Sequence, residues 1–295
     1  MDYPKYPLVE ASEISLADDN TRFVPTANPL DFSGAAHLSR YEFVSQNFDL
    51  TGRKVLDFGC GSGYGVQMLA PLCSQIIGVD LSEESVNFAR RNTPKATFHA
   101  LDVTNAEQVL RALGAHLDSF DYVISFDVIE HVIDYYSMVE LARKLTASQG
   151  YFIVGCPNRL QTFHYNTYWE KYHIQEFTPI SFQRLLGFYF NSVHLYGQDI
   201  KDGSLKLKVQ SAHRRRTKPR YTSSIRSALF KYRHTVLYRF AREAYRRLGS
   251  WRGASEDVQP PDIGFFDGSE RGIDQCFGLL AVCSKPKRQL RSVTD

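Results

Sequence analysis

The 295-residue chain has only five cysteines, Cys60, Cys73, Cys156, Cys276 and Cys283, and no C-x-x-C pair among them. Their odd number and wide spacing exclude a disulfide framework and a zinc knuckle and fit a reducing compartment. No stretch comes near the ~18 uninterrupted apolar residues that a spanning helix requires. The opening residues, MDYPKYPLVEASEIS, place acids where a secretion signal needs a basic start and an apolar run. Internal repeats and low-complexity tracts are absent, so repeat architectures are set aside. The expectation is a cytoplasmic protein, soluble or peripheral at the inner face of the membrane.

What is present is a chain with 43% hydrophobic residues, enough to bury one full core with an elaboration. The net charge of +3 is unevenly spread: residues 201–260 carry 16 Lys/Arg against 4 Asp/Glu, leaving −9 on the remainder. A basic segment is thus attached to a mildly acidic body.

Apolar runs then alternate with helical patterns. Residues 1–36, broken by Pro4, Pro7, Pro25 and Pro29, read as an arm with little regular structure. A short helix follows from His37 to Phe48, with Leu38, Tyr41, Val44, Ser45 and Phe48 on one face. Strands are expected at Lys54–Phe58, Gln75–Asp80, Thr97–Val103, Phe120–Phe126, Gly150–Gly155, Val193–Tyr196 and, after a long interval, within Phe277–Ser284. Helical patterns lie between the first six, one of them N-capped by Ser82 and another opened by Thr178-Pro179. The fold class is α/β, a doubly wound, seven-stranded, mostly parallel sheet covered on both faces. The core spans 37–200, a basic helical insertion spans 201–275, and the last strand and tail occupy 276–295.

The first strand runs into Asp57-Phe58-Gly59-Cys60-Gly61-Ser62-Gly63. Glycines here let the backbone turn tightly and bring its N–H groups against a ligand. A dinucleotide needs no carboxylate at this strand end, whereas Asp57, two residues before the first glycine, suits a ligand carrying an ammonium group. Asp80 ends the second strand, where a carboxylate can accept from ribose hydroxyls. Asp102 follows the third, where it can accept from an adenine amino group while the Val103 N–H donates to the ring. The competing account is that these acids only turn or cap strand ends, and it weakens as all three fall in register with the glycines.

VLDFGCGSGYG, GVD and ALDV resemble motifs I, II and III of the class I S-adenosylmethionine-dependent methyltransferases, in register from about residue 37 to 196. SFDVIEHV resembles the fourth motif and its sequel. The resemblance implies S-adenosylmethionine as cofactor, held by Asp57, Gly59, Gly61, Gly63, Asp80, Leu81, Asp102 and Val103. It also implies transfer of the sulfonium methyl to an acceptor nucleophile. The stretch TRFVP…HLSRYEFV is similar to bacterial small-molecule methyltransferases associated with glycan biosynthesis. A small or lipid-linked acceptor is therefore expected, with O-methylation and a glycan-type molecule favoured. An RNA methyltransferase and a non-catalytic binding protein that keeps the fold are the alternatives.

His131 is the candidate catalytic base, its ordinary pKa lying near neutrality, unless it serves only as a hydrogen-bonded residue of a tight turn. Asp127, Glu130 and His131 also resemble the E-x-x-E-H metal pattern of ubiquinone-pathway O-methyltransferases and small-RNA terminal methyltransferases, with Asp127 replacing the first Glu. That set can take Mg²⁺, although many relatives carry the string without a metal, and no metal is the leading expectation. Tyr165, Trp169 and His173, in the segment after the fifth strand, are the candidate acceptor contacts. His173 and Glu176 are also spaced to pair with each other on a helical turn.

The basic insertion contains His213-Arg214-Arg215-Arg216 and an apolar stripe from Ile225 to Leu248 flanked by arginines. Packing against the core or a second subunit is expected first. Contact of residues 214–248 with an anionic membrane comes second, and binding to nucleic acid third. No N-P-P-Y-type amine-methylation motif is present, and the sequence leaves the oligomeric state open.

Overall fold

A computed structural model describes residues 32–114, 118–164, 173–201, 263–268 and 272–287. Tyr165, Trp169, the expected N-terminal arm up to residue 31 and the basic stretch 202–262 lie outside the described residues.

One sheet organises the chain. Its strands are β1 (Lys54–Phe58), β2 (Gln75–Asp80), β3 (Thr97–Ala100), β4 (Phe120–Phe126), β5 (Thr146–Pro157), β6 (Phe190–Ile200), β7 (Ile263–Asp267) and β8 (Gly278–Pro286). They lie in the order β3-β2-β1-β4-β5-β8-β6-β7. The first five pair in parallel, while β8 runs antiparallel to both β5 and β6, and β7 antiparallel to β6. The mostly parallel α/β class holds, but among the described residues the sheet has eight strands rather than seven. The extra strand, IGFFD, lies inside the stretch assigned to the helical insertion. It is short, follows Pro260-Pro261 and ends at Gly268, so its apolar run looks like loop. Its partner is distant in sequence: Tyr196 through Ile200 pair with Asp267 back to Ile263.

Alternation along the strands feeds two cores. Val55, Ile76, Ile124 and Ile153 face the layer of α1 (Phe32–Asn47), α2 (Tyr64–Leu69) and α3 (Glu83–Asn92). Leu56, Val79, Val123 and Phe152 face α4 (Ala106–Leu113), α5 (Tyr135–Leu145) and α7 (Pro179–Tyr189), with α6 (Arg159–His164) following β5. The helix starts obey local chemistry: the Ser82 hydroxyl accepts from the Ser85 N–H, and Thr178 and Ser181 form a capping box before Pro179. α1 begins at Phe32 and not at His37, because Gly34-Ala35-Ala36 shows no apolar period from which to read its first turn.

The strand order reverses between β1 and β4. The carboxyl ends of these two strands therefore open a crevice, the usual ligand position of doubly wound sheets.

Candidate active site

Gly59, Gly61 and Gly63 all hold positive φ, 78°, 53° and 81°, which L residues rarely adopt. The turn crosses β2, with the Gly59 and Cys60 N–H groups both donating to the Val79 carbonyl at 2.7 and 3.0 Å. A Cβ on Gly63 would lie 2.7 Å from Ala89 Cβ, whereas one on Gly61 would meet nothing within 4 Å. The Gly61 side of the turn is thus the open side, where a ligand can approach the backbone closely.

Three carboxylates stand at or just beyond the ends of β1, β2 and β3, in different states. Asp57 is fully buried. Its Oδ2 accepts from the Tyr41 hydroxyl at 3.0 Å, and among the described residues its Oδ1 has no hydrogen-bond partner. Burial pushes its pKa up, Tyr41 restrains the rise and Asp80 adds to it, to about 7. Asp80 is oriented by two backbone donors, Gly61 N–H at 3.0 Å and Ser82 N–H at 2.8 Å. Asp102 accepts from the Thr104 N–H at 2.8 Å and its hydroxyl at 2.7 Å, both on Oδ1. The turn-forming account therefore holds in part for Asp102. Leu81, beside Asp80, is 71% exposed, and Val103 buries its side chain in the core. An exposed apolar face and a buried neighbour suit a flat ring laid on Leu81 and met by the Val103 backbone.

At the end of β4 the chain bends through Asp127, whose φ is 54°, into a 3-10 turn over Ile129–His131. The Asp127 Oδ2 receives the buried Arg40 guanidinium and His37 Nδ1, the latter at 2.9 Å. Burial would raise the Asp127 pKa, but Arg40 and His37 prevail and hold it well below the usual carboxylate range. Arg40 Nε in turn donates to Gln198 Oε1 at 3.0 Å. Asp127 is therefore engaged by α1, which changes the ligand set expected from the D-x-x-E-H string.

Glu130 is 1% exposed, and among the described residues neither carboxyl oxygen has a hydrogen-bond partner. Burial, then the charge of Asp127, raise its pKa well above the carboxylate range. The exposed His131 ring meets His173 edge-on at 4.9 Å between centroids. Glu130, His131 and His173 each bring a ligand atom to within 4.8 Å of the others. A carboxylate and two imidazoles are the donor set by which this group could hold a divalent transition ion. His173 Nδ1 also lies 3.2 Å from Glu176 Oε1, so the helical-turn pairing is present. The Glu130 carbonyl ties this segment down by accepting from the Ile174 and Gln175 N–H groups at 2.8 and 3.1 Å.

A family model described as a methyltransferase domain matches residues 49–180. A relative from Mycolicibacterium smegmatis, named a probable S-adenosylmethionine-dependent methyltransferase, is 32% identical over 50% of this chain and 56% of its own. A ubiquinone biosynthesis O-methyltransferase from Actinobacillus pleuropneumoniae is 27% identical over 48% of this chain and 59% of its own. Among solved structures, a methyltransferase from Archaeoglobus fulgidus superposes with a TM-score of 0.52 at 16% identity, covering 86% of this chain and 96% of its own. Residues 49–180 of this chain match a methyltransferase domain.

The chain spans about half the length of the curated relatives it matches, and the solved structures speak for the fold. Domains of this class take S-adenosylmethionine. The matched domain answers that ligand with a glycine turn open at Gly61 and, at Asp57, a buried carboxylate oxygen with no hydrogen-bond partner among the described residues. Sequence reasoning missed four residues that the core places at this site: His37, Arg40, Tyr41 and Gly65. The available signal was HLSRYEFV just upstream of the glycine turn, in which an arginine and a tyrosine sit together on a helix otherwise judged by its apolar period.

Proposed function

We propose that this chain is an S-adenosylmethionine-dependent methyltransferase acting on a small or lipid-linked acceptor, with a hydroxyl, in a glycan-type molecule, as the favoured methylated group. The observation that carries the reading is Asp57 Oδ1, an acceptor atom buried at the end of β1, two residues before the glycine turn, with no hydrogen-bond partner among the described residues. Such an atom costs stability unless a cationic or donor ligand completes it.

When bound, the cofactor supplies an activated methyl group. Asp57 would hold its ammonium and Asp80 its ribose hydroxyls, while Leu81, Asp102 and Val103 take the adenine. Holding donor and acceptor in line can supply about 7–11 kcal/mol of the barrier in favourable cases. His131, exposed at the end of β4, is the base that removes the acceptor's proton, and His173, next to it, contacts the acceptor. Tyr165 and Trp169 complete the acceptor wall in this reading. The glycan preference rests on the resemblance of TRFVP…HLSRYEFV.

Isothermal titration with S-adenosylmethionine tests the first step: the wild type binds and Asp80→Ala weakens binding by about tenfold or more, the weight of lost charged hydrogen bonds. Absence of binding by the wild type sinks the reading. Labelled cofactor incubated with fractionated cell extract then identifies the acceptor. In that assay transfer that survives chelation and fails in His131→Ala supports the base, and transfer lost to chelation and restored by Mn²⁺ or Zn²⁺ assigns Glu130, His131 and His173 to a metal instead.

A further inference from the structure

Helix α1 meets the motif acid Asp57 through Tyr41. The Tyr41 ring is 2% exposed and seated over Gly65, where any Cβ would overlap its edge. Tyr64 stands against it at 5.4 Å and Phe126 at 5.0 Å, both edge-on. Neighbouring side chains fix the helix: Arg40 to Asp127 and Gln198, and Phe43 to Phe265 at 4.7 Å. The ring therefore has no room to swing, and its hydroxyl has a fixed place.

That place is Asp57 Oδ2, 3.0 Å away. A carboxylate with one oxygen held by an immobile donor has its second oxygen aimed as well. Here that second oxygen is Oδ1, the buried atom with no partner among the described residues.

We propose that Tyr41 is the positioning residue that aims Asp57 at the ammonium group of the bound cofactor, making α1 part of the amino-acid end of the cofactor site. The inference rests on the cofactor reading given above and adds a residue to it. Electrostatics agree: burial drives Asp57 toward its neutral form, and the Tyr41 hydroxyl is the contact that opposes this. Loss of the hydroxyl leaves a carboxyl that turns freely and holds its proton more tightly. Either change weakens attraction for a cation without touching the ribose or adenine contacts.

A purely structural tyrosine would behave differently. Its removal would loosen the whole pocket and weaken every adenosine-containing ligand alike. Two probes separate these cases. S-adenosylhomocysteine carries the amino-acid group, whereas 5′-methylthioadenosine keeps the nucleoside and thioether and lacks it.

Titration calorimetry of Tyr41→Phe with both probes is the test, with near-ultraviolet circular dichroism to confirm native packing. The expected result is about a tenfold loss of S-adenosylhomocysteine affinity, the weight of one hydrogen bond to a charged acceptor, with 5′-methylthioadenosine binding unchanged. Gly65→Ala, which pushes the ring aside while leaving its hydroxyl on the chain, gives the same selective loss. Equal weakening of both probes, or undiminished S-adenosylhomocysteine binding in both variants, overturns the proposal. Failure of the wild type to bind either probe overturns the cofactor reading itself, and this inference with it.

Discussion

At pH 8 the Asp57 carboxyl, which titrates at about 7, carries a charge in a place where burial opposes it. An ordinary aspartate ionises near 3.8 in the unfolded chain. Between these values the folded state binds the extra proton, so fold stability falls as pH rises from about 4 to 7 and stays reduced above that. The loss amounts to roughly 4 kcal/mol. Asp57→Asn keeps the shape and removes the charge. Its melting temperature is expected to exceed the wild type's at pH 8, with the gap closing toward pH 4, in parallel thermal melts. Cofactor affinity runs the other way. The carboxylate is the form that attracts an ammonium, so wild-type affinity for S-adenosylmethionine rises with pH up to about 7. Below that value each pH unit costs close to tenfold, because the proton must leave first. Calorimetry in buffers of different ionisation enthalpy reads this as proton release on binding at pH 6. A pH-independent affinity with no proton release would contradict the titration of Asp57. The residue is costly to the fold and useful to the ligand, a pairing common where sites perturb a group's pKa.

Helix α1 shows what a periodic pattern can and cannot disclose. The face read from Leu38, Tyr41, Val44, Ser45 and Phe48 locates the helix, and Tyr41 and Val44 are indeed buried. Arg40, at 3% exposure, is as buried as they are, and apolar spacing gives no reason to expect that. Its burial depends on Asp127, 87 residues away, and such partners are set by tertiary packing. The same holds for Tyr41 and Asp57, each legible alone as a helix-face ring and a motif acid, but not as a bonded pair. A consequence at this scale concerns charge. Arg40→Leu leaves Asp127 as a buried carboxylate short of its guanidinium, and such half-broken pairs cost about 3–5 kcal/mol. Adding Asp127→Asn should recover most of that, because the uncompensated charge is gone. Urea unfolding of wild type, both single variants and the double variant forms the cycle. A double variant as unstable as the sum of the singles would show that the two groups act independently.

Across the whole molecule, the sheet explains why the basic stretch was misread at its end and what it can be separated from. Strands β1, β2 and β4 lie where the sequence placed them, because each is an apolar run that announces itself locally. β7 does not, since its identity as a strand comes from β6, and its Phe265 is used to seat Phe43 of α1. Its register carries a further consequence. Ile200 at the end of β6 and Ile263 at the start of β7 are direct antiparallel partners. The chain therefore leaves the sheet after Ile200 and re-enters it beside that residue at Ile263. β8, inserted between β5 and β6, takes all its strand pairing from those two strands, at residues 151–157 and 190–198. Replacing 204–259 by a short Asn-Gly turn should preserve the domain, since such turns join adjacent antiparallel strands directly. The shortened protein is expected to bind S-adenosylmethionine with wild-type affinity and to melt no lower than the parent. Of the parent's 35 Lys and Arg, the deletion removes most of the cluster that gives residues 201–260 their net positive charge. Sedimentation with vesicles containing anionic lipid should therefore fall in the shortened protein if that cluster is the membrane contact, and stay unchanged if its stripe packs on protein. Loss of cofactor binding on deletion would instead place part of the basic stretch in the site, contrary to a pocket built from the ends of β1, β2 and β4 and closed by α1.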